Sequence, residues 1–125
     1  MYIDANGLHE LNDTKGHEEG DRMLKAVASA VIRCFGQENT YRIGGDEFVV
    51  LCTDRPKGEI EDCIRSIVDQ VTDAGYSVSV GMALHARDES NMRLLVKEAE
   101  TCMYREKQRY YAQSEHDRRR RPAEA

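Results

Sequence analysis

Two adjacent carboxylates stand at a glycine bend in the stretch TYRIGGDEFVVLC, residues 40–52. The β-type runs 41–43 and 48–52 flank Gly44, Gly45, Asp46 and Glu47, a sequence that an ordinary hairpin would also use as its turn. A third carboxylate, Asp4, closes the first apolar run of the chain, 42 positions before Asp46. With that run as a strand beside the hairpin, Asp4, Asp46 and Glu47 become neighbours. Such a cluster is electrostatically costly unless a cation neutralises it. Hard oxygen ligands favour Mg2+ or Mn2+, usually together with substrate phosphates. Metals held this way can activate a hydroxyl and stabilise a displaced pyrophosphate. Spacing alone favours the plainer reading, in which acidic residues at strand ends are simply solvated.

A second stretch, NDTKGHEEGD at 12–21, reads as a glycine-containing loop that feeds a helix. Gly16 and Gly20 let backbone N–H groups approach an anion, and the following helix offers a positive N-terminus. Asp21 beside that terminus is also accounted for as a favourable helix-start charge.

The elements that must position these residues follow from apolar periodicity. Residues 2–5 read as a short strand, and GLHELND as a helical turn or two. Between 18 and 35, Leu24, Val27, Ala28, Val31, Cys34 and Phe35 fall at helical three-four spacing, and Gly36 stops the run. Two strands are expected at 40–43 and 47–53. Ile60, Cys63, Ile64, Ile67, Val68 and Val71 mark a second amphipathic helix that ends before Gly75. Val78, Val80, Met82 and Leu84 alternate as a half-buried strand should. A last helix spans about 91–111, with Leu94, Leu95, Ala99, Cys102 and Met103 inward, and the polar tail after Ser114 is expected to fray. The first six elements spell β-α-β-β-α-β, the split unit of ferredoxin-like α+β folds, with an antiparallel central hairpin and helices on one face of the sheet.

At 125 residues with 40% hydrophobic content, the chain suits one domain with a single core. Net charge is -5. Residues 118–125 carry four Arg and one Glu; without them the body holds 14 basic against 22 acidic residues. An acidic body argues against a general nucleic-acid binder, and the run Arg118 to Arg121 reads as a solvated tail. Cys34, Cys52, Cys63 and Cys102 form no C-x-x-C pair, and no histidine completes a zinc spacing. Reduced core cysteines in a reducing compartment are expected. There is no membrane-length apolar run and no visible signal peptide, so a soluble, cytoplasmic protein is expected.

IDANGLHELNDTKGHEEGD, YRIGGDEFVVL, SVSVGMA and AETCMYREK occur in this order and cover almost the whole chain. Together they resemble the GGDEF domain of bacterial diguanylate cyclases. The resemblance covers 1–113 and leaves 114–125 as an Arg-rich tail. It implies a nucleotidyl cyclase or polymerase-palm-like core and condensation of two GTP into cyclic di-GMP, with two pyrophosphates released. Each domain would bind one GTP, and two GGDEF domains would meet as a homodimer. The resemblance further implies Asp4 and Asp46 as carboxylates for Mg2+ or Mn2+, with the Ala5 carbonyl near the metals. Asp46 or Glu47 would help deprotonate the attacking 3′-hydroxyl. Gly44 and Gly45 would be the bend where phosphates pack, a place a side chain would block. Asn12 and Asp21 match the guanine readers, since a carboxylate accepts from guanine N1–H and N2–H while adenine offers no such pair. Lys107 matches a lysine that contacts the terminal phosphates. Arg42 either braces the acidic tip or is a plain strand arginine.

Four departures from the family pattern stand out. Leu8 and His9 replace the usual phenylalanine and lysine, so a phosphate-side cation becomes a mostly neutral side chain, or a merely solvated one. Lys107 is followed by Gln108, Arg109, Tyr110 and Tyr111 where a second phosphate cation is expected at the last place, leaving Arg109 as a substitute from the neighbouring turn. Phe35, Gly36, Gln37 and Glu38 do not form the arginine-x-x-aspartate product-inhibition site of many relatives. The chain begins within its first strand, without the helix that normally precedes it, which predicts exposed apolar surface, a missing N-terminal sensory domain and weak or no activity in isolation. The alternative function is a degenerate module that binds GTP or a cyclic dinucleotide without turnover, or a fragment with a vestigial site.

Overall fold

The computed structural model describes residues 1–85 and 91–120, with side chains described through Gln113. Four strands, β1 (Tyr2–Ala5), β2 (Thr40–Arg42), β3 (Glu47–Val50) and β4 (Val78–Gly81), form one sheet in the order β2-β3-β1-β4. Every neighbouring pair is antiparallel. The helices are α1 (Leu8–Lys15), α2 (His17–Phe35), α3 (Lys57–Asp73) and α4 (Met92–Arg120). This is the expected α+β arrangement, with β1 beside the hairpin.

Strand alternation divides the sheet into two faces. Ile3, Ala5, Phe48 and Val50 point to one side, where Met23, Val27, Ala30, Val31 and Phe35 of α2 and Ile60, Ile67 and Val71 of α3 complete the main core. Tyr2 and Val49 point to the other side and meet Ala99 and Met103 of α4. The two helices of the split unit, α2 and α3, thus share one face as expected, while α4, which follows the unit, covers the opposite face. Gly81 makes this packing possible, because a Cβ there would overlap the Ala99 carbonyl oxygen and the Met103 backbone nitrogen.

Four further expectations change. The stretch read as a loop at 12–21 is almost entirely helical, broken only at Gly16, whose φ of 87° ends α1 and starts α2. Leu84 and Leu94, assigned inward by spacing, are about half exposed: Leu84 lies beyond β4, which ends at Gly81, and Leu94 precedes the close approach of α4 at Ala99 and Met103. Helix α4 continues to Arg120 instead of fraying after Ser114, while Arg121 and the rest of the tail lie outside the described residues. The four cysteines are free but half-buried, not fully in the core. Among the described residues no helix is long and apolar enough to cross a membrane.

Candidate metal and nucleotide site

Register brings the carboxylates together. Asp4 of β1 lies directly opposite Glu47 of β3, and the Ala5 N–H donates to the Asp46 carbonyl at 2.9 Å. The end of β1 is thus stitched to the hairpin tip. One carboxylate oxygen from each of Asp4, Asp46 and Glu47 falls within 4.8 Å of the others. Like charges directly opposite on a sheet are destabilising by themselves.

Each member has a distinct setting. Asp4 is only 3% exposed. Its Oδ2 accepts from the Lys107 ammonium of α4 at 2.6 Å, while its buried Oδ1 has no partner. Burial pushes the Asp4 carboxyl up to about 6, against the pull of Lys107, and Asp46 pushes the same way. Burial opposes the charge of Lys107, but its bond to Asp4 and the Asp4 charge hold its pKa above the ordinary value. Glu47 Oε2 accepts from the Tyr2 hydroxyl at 2.7 Å. Tyr2 is buried, and that burial, with Glu47 and then Glu100 beside it, raises its pKa.

The donor set fits a hard divalent cation. Three convergent carboxylates, one with a buried orphan oxygen, are the oxygen-rich and electron-rich surroundings such an ion satisfies. Beside them, Gly44 and Gly45 leave open space. A Cβ at Gly45 would meet nothing within 4 Å, and one at Gly44 only the Glu47 side chain, at 3.6 Å or more. Neither has the positive φ that would demand glycine. The fold leaves room at the bend without needing that room for itself. Arg42 braces the turn, donating to the Gly44 and Gly45 carbonyls at 3.2 and 2.7 Å, not to the acidic groups.

Asn12 and Asp21 sit on the α1–α2 pair. Gly20 is buried in the first turns of α2, and a Cβ there would overlap the Asn12 amide, whose Oδ1 is buried without a partner. Gly20 therefore serves close packing against Asn12 and does not belong to an anion-approaching loop. Asp21 is exposed in the second turn of α2; the first-turn acids are Glu18 and Glu19, which overturns the reading of Asp21 as a helix-start charge. His9 is solvated and lies 3.3 Å from Asp13. Arg109 donates to Glu106 at 3.0 Å and, with it, lines a cleft of about 490 Å³ along the open edge of β4.

Sequence reasoning overlooked the residues that hold the site in shape. Tyr2 shares the face of Asp4 by simple alternation, and this was the available signal. Asn6 is 5% exposed; its Nδ2 donates to Ser77 Oγ at 3.0 Å and its Oδ1 accepts from Ser79 Oγ at 2.9 Å. Ser79 pairs with Asp4 across β1 and β4, so this buried network fixes the strand ends beside the carboxylates.

The family model described as "Diguanylate cyclase, GGDEF domain" matches residues 1–113. The cyclic di-GMP phosphodiesterase PdeB of Shewanella oneidensis is 36% identical over 109 residues, 79% of this chain and 13% of that protein. The diguanylate cyclase DgcM of Escherichia coli is 32% identical over 114 residues, 86% of this chain and 28% of that protein. The chain thus spans well under a third of the length of either relative. The GGDEF domain of DgcB from Caulobacter crescentus, solved in complex with c-di-GMP, superposes with a TM-score of 0.76 at 23% identity, covering 86% of this chain and 70% of that one.

Proposed function

The chain belongs to the GGDEF domain family, and from that premise we propose that it binds GTP at the Asp4–Asp46–Glu47 cluster and, paired with a second GGDEF domain, condenses two GTP into cyclic di-GMP. The observation that carries this reading is the cluster of Asp4, Asp46 and Glu47 beside an open glycine bend, with the buried Asp4 Oδ1 left without a partner. Each GTP 3′-hydroxyl attacks the α-phosphorus of the other nucleotide, and each attack releases one pyrophosphate.

The roles divide by position. Asp4, the Ala5 carbonyl and Asp46 hold Mg2+ or Mn2+, which when bound would acidify the 3′-hydroxyl and offset phosphate charge. Asp46 or Glu47 takes the hydroxyl proton, and Tyr2 keeps Glu47 aimed by donating to Oε2. Gly44 and Gly45 admit the phosphates, Lys107 meets the terminal ones, and Asn12 with Asp21 reads guanine. The domain works in the cytoplasm, where GTP is available, under a sensory domain elsewhere in the parent protein.

A second reading is favoured by one observation. Among the described residues, Lys107 is the cation that contacts the cluster, since His9 is solvated beside Asp13 and Arg109 is engaged by Glu106. Weak phosphate anchoring fits a module that binds GTP without turnover, and the isolated chain is expected to be weak or inactive. Incubation with GTP and Mg2+ or Mn2+, followed by mass-resolved chromatography, separates the two. Cyclic di-GMP and pyrophosphate support the cyclase; calorimetric GTP binding with no product supports the module; no binding leaves a vestigial site.

A further inference from the structure

Lys107 reaches the cluster from α4, 103 residues after the Asp4 it contacts. Its ammonium lies 2.6 Å from Asp4 Oδ2, with the lysine side chain 19% and the Asp4 side chain 4% exposed. One ammonium cannot balance three carboxylates. It serves a single oxygen, Asp4 Oδ1 keeps no partner, and Glu47 relies on the neutral hydroxyl of Tyr2. Among the described residues no other lysine or arginine hydrogen-bonds to Asp4, Asp46 or Glu47.

From this arrangement we infer that Lys107 is an exchangeable counter-ion: it neutralises Asp4 while the cluster holds no divalent cation, and it leaves Asp4 Oδ2 when one binds, becoming available to a nucleotide phosphate. The inference rests on reading the cluster as a metal and nucleotide site. A divalent cation held by the same carboxylates would stand within a few ångströms of the ammonium, and beside the buried Asp4 that repulsion is screened less than in water. Lysine suits the exchange, because its charge is compact and rides on a flexible four-carbon stem. The two cations therefore compete for Asp4, and loading of the metal readies the phosphate contact. Metal-free protein keeps Asp4 paired with Lys107 and has no ready phosphate partner, so metal and GTP bind with positive coupling.

The test uses the full chain without nucleotide. Lysines are acylated with an N-hydroxysuccinimide ester in chelator or in Mg2+ alone, and labelling is read by peptide mass spectrometry. Lys107 labelling is expected to rise severalfold with Mg2+, while Lys15, Lys25 and Lys97 stay constant. Lys107→Met is expected to bind Mn2+ about tenfold more tightly, counted as free Mn2+ by electron paramagnetic resonance, and to bind GTP more weakly. Flat Lys107 labelling overturns the exchange even if Lys107→Met fails to fold. Where Mn2+ still binds the wild type and Asp46→Asn abolishes that binding, the site reading survives and the lysine is a fixed partner of Asp4. Absence of Mn2+ binding to the wild type overturns both.

Discussion

Gly20 and Asn12 share one space: the α2 backbone at Gly20 packs so closely on the Asn12 amide that a Cβ would overlap its Oδ1. The obstructing atom is the end of a flexible side chain, so Gly20→Ala displaces Asn12 without breaking the helix. Alanine also gains up to about 1 kcal/mol of helix propensity over glycine. We expect Gly20→Ala to keep its melting temperature within a few degrees and, if Asn12 reads guanine as proposed, to lose at least about tenfold in GTP affinity, because the Asn12 amide has moved. Calorimetry beside a thermal melt checks this; unchanged GTP affinity removes Asn12 from the site.

The carboxylate cluster was legible in the sequence because it depends on one topological fact. Once residues 2–5 and 47–50 are neighbouring strands, Asp4 and Glu47 meet across the pair. The position of α4 was not legible. Spacing assigned Leu94 inward, but it is half exposed, and the decisive contact is a glycine in β4 admitting the α4 backbone. Spacing did mark Ala99 and Met103 as inward, and both are buried, but a glycine contact carries no apolar period that tells which face of the sheet they meet. The same limit hid the Lys107–Asp4 pair, which the resemblance marked only as a lysine for phosphate. The two helices that meet within residues 12–21 read as a loop because Gly16 and Gly20 look alike as loop glycines. Gly16 does turn the chain, whereas Gly20 is in a helix and is small for packing.

Gly81→Ala should behave oppositely to Gly20→Ala. Its Cβ meets backbone atoms of Ala99, Cys102 and Met103, which cannot swing aside. Helix α4 must lift from β4, carrying Lys107 from Asp4. We expect a loss of about 3 kcal/mol or more in urea unfolding, the range of severe overpacking. A variant as stable as wild type would mean that α4 is seated differently.

Tyr2→Phe keeps the ring between β1 and α4 but removes the hydroxyl that holds Glu47 at 2.7 Å. A hydrogen bond to a charged acceptor contributes about 1.5 to 3 kcal/mol, and part of this returns when Glu47 reaches water. We expect about 1 kcal/mol of destabilisation in chelator, with a weaker Mn2+ affinity. Stability loss with Mn2+ affinity unchanged would restrict Tyr2 to packing.

Asp4 makes the metal-free protein sensitive to pH. Its folded carboxyl is raised to about 6 from the ordinary 3.8, so the folded state binds that proton more tightly than the unfolded state. The penalty is fully present above pH 6 and is relieved as pH falls through 6 towards 4, by at most about 3 kcal/mol. In chelator, wild type should therefore gain stability relative to Asp4→Asn between pH 7 and pH 5. Mg2+ at pH 7 should raise the wild-type melting temperature by binding only the folded state, and leave Asp4→Asn unmoved. Parallel pH profiles for the two proteins would show that Asp4 is not strained by burial.

Gly45→Val separates the needs of the fold from those of a ligand. Nothing lies within 4 Å of the place a Cβ would take, and the residue is exposed with no positive φ. Replacing it should change unfolding free energy by no more than about 0.5 kcal/mol, as for surface sites without special contacts. The branched side chain would, however, stand in the space left open beside Asp46. If phosphates pack on the bend, GTP affinity falls at least about tenfold while Mn2+ binding in the absence of nucleotide stays near wild type, because the carboxylates are untouched. Calorimetry with GTP and with Mn2+ alone reads the two effects apart. GTP binding as tight as wild type would mean that the nucleotide does not cross the bend, and the open space at Gly44 and Gly45 would then need another explanation.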